Sequence, residues 1–323
     1  MSPVFRAVLA AWLLAVLVPG TVLAQNYPAR LVRIVNPFST GGPTDPPVRW
    51  IAQKLSETWG QPVIVDFRGG ASSIIGTEIV AKSAPDGYTL LFITSSFVLS
   101  AVTSANLPFD PIKDFQPITP VTSGPTLLVV HPSTGVHNVK EFIALAKKNP
   151  GKMSYGSSGQ GGPLHLYMEL FKTMAGIDLV HVPYKGAGPA AADVLAGRLQ
   201  AMFVGMPAVV PHMKSGKIVA IGNSSMERAQ SLPELPTIHE QGLTGFDGGS
   251  RYGFLAPART PADTINRIHD GLVKVVFLPD TKKFFADFGI ESISSSPAEY
   301  AAWIKSQIER WTQVARTAGI KPE

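Results

Sequence analysis

Cysteine is absent from all 323 residues, and that absence excludes disulfides, iron–sulfur clusters, thiolate zinc sites and a cysteine nucleophile. Charge is sparse as well, with Asp, Glu, Lys and Arg together making 16% of the chain and a formal balance of only +5. The basic residues never form a run of five, which argues against a polybasic patch, so no nucleic-acid partner is expected. Hydrophobic residues reach 45%, so the low charge does not signal disorder. Nothing after the first two dozen residues approaches the roughly 18 apolar positions of a membrane span. At about 150 residues per domain, the length predicts two domains.

One apolar run does exist, at the start. Arg6 precedes an uninterrupted apolar stretch from Ala7 to Val18, followed by Pro19-Gly20 and the small-residue site Val22-Leu23-Ala24. This reads as a signal peptide over residues 1–24, too short to serve as a spanning helix, with cleavage after Ala24. Gln25 rather than Cys follows, so no lipid anchor is expected there. The expected product is exported to the periplasm and soluble.

Beyond it, β-branched runs at 31–35, 63–66, 89–93, 127–130, 179–182, 201–204 and 218–221 read as strands. Between them, Val48, Ile51, Ala52, Leu55 and Trp59 mark one helical face; Val139, Phe142, Ile143 and Ala146 mark another, stopped by Asn149-Pro150-Gly151. Ala301, Ile304, Ile308, Trp311 and Ala315 predict a long terminal helix. Strands alternating with helices imply an α/β fold with mainly parallel sheets, one in each of two units.

Two turns echo each other. The strand at 31–36 runs into Pro37-Phe38-Ser39-Thr40-Gly41-Gly42-Pro43-Thr44-Asp45, and Tyr155-Gly156 into Ser157-Ser158-Gly159-Gln160-Gly161-Gly162-Pro163. Each Pro suits a first helical turn, and each Gly pair allows close backbone approach. Amides at a helix start favour an anion, phosphate or carboxylate, and at the carboxyl ends of parallel strands both turns would face one cleft. Ser39, Thr40, Thr44, Ser157, Ser158 and Gln160 add polar groups, while Asp45 reads as a cap for free amides. Plain capping explains either turn taken alone. A third Gly/Ser turn, residues 69–76, either lines the same cleft or only connects strand to helix.

Enzyme signatures fail. Gly186-Ala-Gly-Pro-Ala-Ala191 fits the dinucleotide fingerprint formally, but no acid follows near Phe203–Ala208. There is no Walker loop, no H-E-x-x-H and no G-x-S-x-G elbow. His165 and Glu169 are four apart, yet no further ligands have recognisable spacing, so neither metal nor cofactor is expected.

The chain resembles a Bug-type periplasmic solute-binding receptor of the tripartite tricarboxylate transporter class. The similarity rests on Asn36-Pro-Phe-Ser-Thr-Gly-Gly-Pro-Thr-Asp45, Ala84-Pro-Asp-Gly-Tyr-Thr-Leu90, Leu107-Pro-Phe-Asp-Pro111, Tyr155-Gly-Ser-Ser-Gly159, His181-Val-Pro-Tyr-Lys-Gly186, Pro211-His-Met-Lys-Ser-Gly-Lys217 and Leu255-Ala-Pro-Ala-Arg-Thr-Pro261. The resemblance implies a two-lobed binding-protein fold joined by crossing strands, with residues 25–127 and 253–323 in one lobe and 128–252 in the other. It implies a non-catalytic receptor, expected to be a monomer, that closes on a small carboxylate and delivers it to membrane permease subunits. A pincer of two loops would hold the ligand: Phe38, Ser39, Thr40, Gly41, Gly42, Thr44 and Asp45 in the first, and Ser157, Ser158, Gly159, Gln160 and His165 in the second. Tyr184, Gly186 and Ser95 would complete the cleft. The family commonly has an acid where this chain has Val204, which tilts the expected ligand toward dicarboxylates or aromatic carboxylates and away from amino acids. The rival readings are a secreted hydrolase using Ser158 and His165, and a ligand-sensing subunit.

Overall fold

The computed structural model describes residues 27–41, 43–70, 73–206 and 209–322. The expected signal peptide and Gly42 lie outside these residues.

Eleven strands among the described residues form two sheets. Strands β1 (Val32–Asn36), β2 (Val63–Phe67), β3 (Thr89–Ile93) and β4 (Phe115–Gly124) belong to the first. After Pro125 the chain enters the second sheet: β5 (Thr126–Val130), β6 (Ser154–Ser157), β7 (Val180–Pro183), β8 (Ala201–Gly205) and β9 (Val219–Asn223). It returns to the first with β10 (Ser250–Pro257) and β11 (Glu291–Ser292). The orders are β11-β4-β10-β3-β1-β2 and β7-β6-β8-β5-β9. Helices α1 (Asp45–Trp59), α2 (Ile74–Ala81), α3 (Ser95–Thr103), α4 (Val139–Lys148), α5 (Pro163–Ala175), α6 (Ala187–Leu195) and α7 (Val210–Lys214) fill the connections. The chain closes with α8 (Ala262–Val276), α9 (Pro279–Asp287) and α10 (Pro297–Thr317).

The two-lobed α/β architecture is the expected one, but the sheets are mixed rather than mainly parallel. β1 pairs in parallel with β2 and β3, and β6 with β7 and β8. β10 is antiparallel to both β3 and β4, and β5 to both β8 and β9. The reason is topological. A chain that enters a lobe from the connection starts at the cleft end and runs away from it, against strands whose carboxyl ends face the cleft. β5 and β10 are those two entering strands.

β4 was not apparent from the sequence because Pro117 and Pro120 interrupt it. Its register with β10 shifts beside each proline, between Tyr252 and Gly253 and between Phe254 and Leu255. Bulges are where a strand tolerates a residue without an N–H.

Val48, Ile51 and Leu55 of α1 are fully buried against Val32, Ile34 and Leu272, as the helical spacing requires. Helix α10 packs on α3 and α5, so its buried Trp311 and Val314 sit against elements of both lobes. Its start carries a capping box, Ser296 accepting from the Glu299 amide while Glu299 accepts from Ser296.

Candidate functional site

β1 ends at the buried Asn36, whose Nδ2 donates to Thr44 Oγ1 at 3.2 Å and pins both ends of the first loop. The Gly41 amide donates to Asp45 Oδ2 at 2.8 Å, and this bond, with Arg49 alongside, holds the Asp45 carboxyl below its ordinary range. Asp45 is therefore the loop's own cap. Pro46 and Pro47 follow it and remove two amides from the first turn of α1, so the donors here belong to the loop.

The third Gly/Ser turn proves to be the floor of this loop. A Cβ on Gly69 would meet the Ser39 nitrogen at 2.9 Å, and one on Gly76 would meet the Pro37 Cα and the Arg68 carbonyl oxygen at 2.8 Å. Only hydrogen fits at both. Ala71 and Ser72 of the turn lie outside the described residues.

The second loop leaves β6 at the buried Ser157 and turns through Gly159 (φ 139°) and Gly161 (φ 67°). Its form is held from behind. Ser157 Oγ lies 2.7 Å from His181 Nε2 and 3.1 Å from the Gly159 carbonyl, the Gly161 amide donates to His165 Nδ1 at 3.0 Å, and the Gly186 amide donates to the Ser158 carbonyl at 3.2 Å. The accepting Nδ1 fixes the His165 tautomer, with its proton on Nε2. Helix α5 then opens at Pro163, leaving the amides of Leu164 and His165 without intrahelical partners.

His165 and His181 stack at 3.8 Å with an interplanar angle of 7°, and Tyr155 lies 4.9 Å beyond. Tyr155 donates to Glu169 Oε1 at 2.5 Å, and Lys172 Nζ donates to the same oxygen at 2.8 Å. Burial pushes both imidazoles down, His181 to about 4, with the neighbouring His165 adding to the effect. Unfolded, each would titrate near 6.5. The unfolded chain therefore binds more protons between the two values, and stability contributed by the neutral pair is lost as pH falls from about 6.5 to about 4. For the half-buried His181 this amounts to about 1–2 kcal/mol after allowing for solvent screening. Urea unfolding of wild type and His181→Gln across that range should show a steeper decline for wild type; identical slopes would remove His181 as a cause.

Between the lobes lies a cavity of about 540 Å³. Phe38, Pro43, Thr44 and Pro47 wall it from the first loop and α1, and Pro163, Leu164 and Tyr167 from α5. Thr94, Ser95 and Ser96 at the start of α3, Thr126 and Gly205 in the second sheet, and Ser250 and Tyr252 on β10 complete much of the wall. A second cavity, about 680 Å³, adjoins it through Phe38, Ser96 and Pro163 and is lined by Ser39, Ser73, Ser100, Thr103, Gln160, Gly161 and Gly162.

Of the residues singled out from the sequence, Phe38, Ser39, Thr44, Ser95 and Gln160 line these cavities. Thr40, Gly41, Asp45, Ser157, Ser158, Gly159, His165 and Gly186 shape or support the loops from outside the lining. Tyr184 turns its hydroxyl to Asp193 of α6, its half-buried ring packing with Val182 and Leu195 at the edge of an apolar cluster. Sequence reasoning missed Tyr167, Tyr252, Thr126 and Ser250. Burial pushes the Tyr167 hydroxyl up to about 12 and raises that of Tyr252, so both remain neutral donors.

With two sheets, crossing strands and an interlobe cavity established, the comparisons decide the family. A model of the tripartite tricarboxylate transporter family receptor matches residues 48–320. The chain belongs to this receptor family. The receptor is 34% identical over 306 residues to the protein BugT of Bordetella pertussis, covering 94% of each chain. It is similar to R. palustris Rpa4515, solved with adipate, at 34% identity and a TM-score of 0.77, covering 92% of the receptor and 100% of that chain. It is also similar to MatC of Rhodopseudomonas palustris, solved with malate, at 28% identity and a TM-score of 0.71, covering 89% and 99%. Val204 of the receptor is buried in register with Leu127, inside an apolar cluster. Its side chain packs within that cluster and does not line the cavity.

Proposed function

We propose that the receptor captures a small carboxylate between its lobes, without catalysis, and delivers it to membrane permease subunits of a tripartite tricarboxylate-type transporter, acting in the periplasm after removal of residues 1–24. The observation behind this reading is a cavity walled by both lobes and lined by hydroxyls and helix starts, with no charged side chain among its described lining residues. Neutral donors and helix N-termini suit a carboxylate, and the absence of an acid disfavours an ammonium group. Rpa4515 and MatC, solved with adipate and malate, support the ligand class. A hydrolase reading has less support, because His165 Nδ1 is engaged by the Gly161 amide and the buried Ser157, rather than Ser158, meets an imidazole.

Ligand that touches both lobes favours the closed arrangement, rotating about the connections at Pro125 and between β9 and β10. A thermal-shift screen of aliphatic and aromatic mono- and dicarboxylates tests the reading. A carboxylate at a hundred times its dissociation constant should add about 2.7 kcal/mol to stability. Small-angle scattering with that carboxylate should show a smaller radius of gyration. No shift from any member of the panel would overturn the assignment.

A further inference from the structure

The two adjoining cavities differ in chemistry. The 680 Å³ chamber is lined mainly by seryl hydroxyls, Thr103, Gln160 and the glycine backbone of the second loop, with Lys321 the one cation among its described lining residues. The 540 Å³ chamber is faced by four aromatic rings (Phe38, Tyr167, Tyr252 and Phe288), four prolines, Leu164 and Ile290. Its hydroxyls are neutral, and several are already fixed in place by bonds they accept or share, their own protons remaining free to donate. Thr44 Oγ1 accepts from Asn36, Thr94 Oγ1 accepts from the Ser96 amide at 3.1 Å, and Ser95 and Ser250 approach each other at 3.4 Å. Among its described lining residues there is no Lys, Arg or His.

Resting on the carboxylate reading above, we infer that the ligand is an apolar-bodied monocarboxylate, with an aromatic ring the best fit, and that Tyr252, Phe288 and Ile290 are its specificity-determining residues. The carboxylate sits where the chambers meet, at Phe38, Ser96 and Pro163 beside the start of α5. The body of the ligand extends into the aromatic chamber. Rings there gain offset or edge-on contacts in addition to the area they bury. A second carboxylate at the far end of the ligand would be carried among aromatic rings and prolines, with neutral hydroxyls but no cation to meet it, and a buried charge without a charged partner is disfavoured. The chamber's volume lies within the range usual for one small ligand. The specificity is thus set by what the wall lacks, and a single cation placed at its rim should alter it. Phe288 provides that position: it lies just past the end of α9, faces the chamber and is 37% exposed, so a long side chain is accommodated there.

Calorimetric titration of the intact receptor with benzoate and terephthalate isolates the point, since the two differ by one para carboxylate. Wild type should bind benzoate about a hundredfold more tightly than terephthalate, and hexanoate more tightly than malate. Phe288→Ala should weaken benzoate about tenfold, and Phe288→Arg should narrow or reverse the preference by supplying the missing cation. Wild type that prefers terephthalate or malate, or a Phe288→Arg protein with an unchanged ratio, would overturn this inference while leaving carboxylate capture intact. A panel in which no carboxylate binds would overturn the capture reading itself.

Discussion

Gly161→Val is expected to weaken carboxylate binding about a hundredfold while the protein remains folded. Gly161 adopts φ 67°, where a β-branched side chain is strained, and its amide anchors the second loop to His165 Nδ1. The added Cβ would lie 3.6 Å from Thr103 Cγ2, so no hard clash with the protein opposes it; the strain is in the backbone and must be relieved by moving the loop. Moving the loop shifts the unpartnered Leu164 and His165 amides at the start of α5, and losing two charge-assisted donors, each worth about 1.5–3 kcal/mol, gives the stated factor or more. Gly176→Val is the matched control. Gly176 has φ 61° with open space around it, but it caps the far end of α5. Titration of whichever carboxylate stabilises wild type should show the loss in the first variant only. Equal affinities in both would show that the second loop does not hold the ligand.

Gly76→Ala should cost about 1–3 kcal/mol of stability and should impair binding from beneath the first loop. The new methyl would stand 2.8 Å from the Arg68 carbonyl oxygen and the Pro37 Cα, and backbone cannot rotate away as a flexible side chain can. Relief requires lifting Pro37, and with it Phe38, which lines both chambers. Gly188→Ala, in α6 with open space around it and an ordinary φ, should leave both properties near wild type. Denaturant unfolding and ligand titration of the pair check this. Unchanged stability and affinity in Gly76→Ala would mean the loop does not depend on its glycine floor.

How far the sequence could be read depended on whether local pattern or tertiary placement decided each element. Thr89–Ile93 was placed to the residue because a β-branched, apolar run is bounded by Gly87 and Thr94. The starts of α1 and α5 were legible through their Gly-Gly-Pro entries. β4 was not, because two prolines make a poor strand signal and only pairing with β10 reveals the bulges that admit them. In the candidate site, loop glycines announced themselves by composition. Tyr167 and Tyr252 did not: an aromatic residue on a helix face or strand reads as core until the opposite lobe supplies the other wall. Asp45 reads from the sequence both as a cap for free amides and as a pincer residue; in the fold it accepts from the Gly41 amide of its own loop, and the two prolines after it remove helix-start donors, which composition alone does not signal.

The placement of β10 also governs the order in which the molecule can assemble. The strands of the second sheet all come from residues 126–223, so its pairings are complete once that stretch is available. In the first sheet β10 lies between β3 and β4, and Gly253 pairs with Ile93 about 160 residues earlier in the chain. Until β10 arrives, β3 and β4 each have an open edge and are not joined to each other. Such long-range closure is slow, because the entropy of a large loop is lost before the new contacts compensate for it. The second sheet can therefore complete its pairings first, while the first sheet stays unfinished until β10 in the final quarter of the chain emerges, and α10 then packs against both lobes.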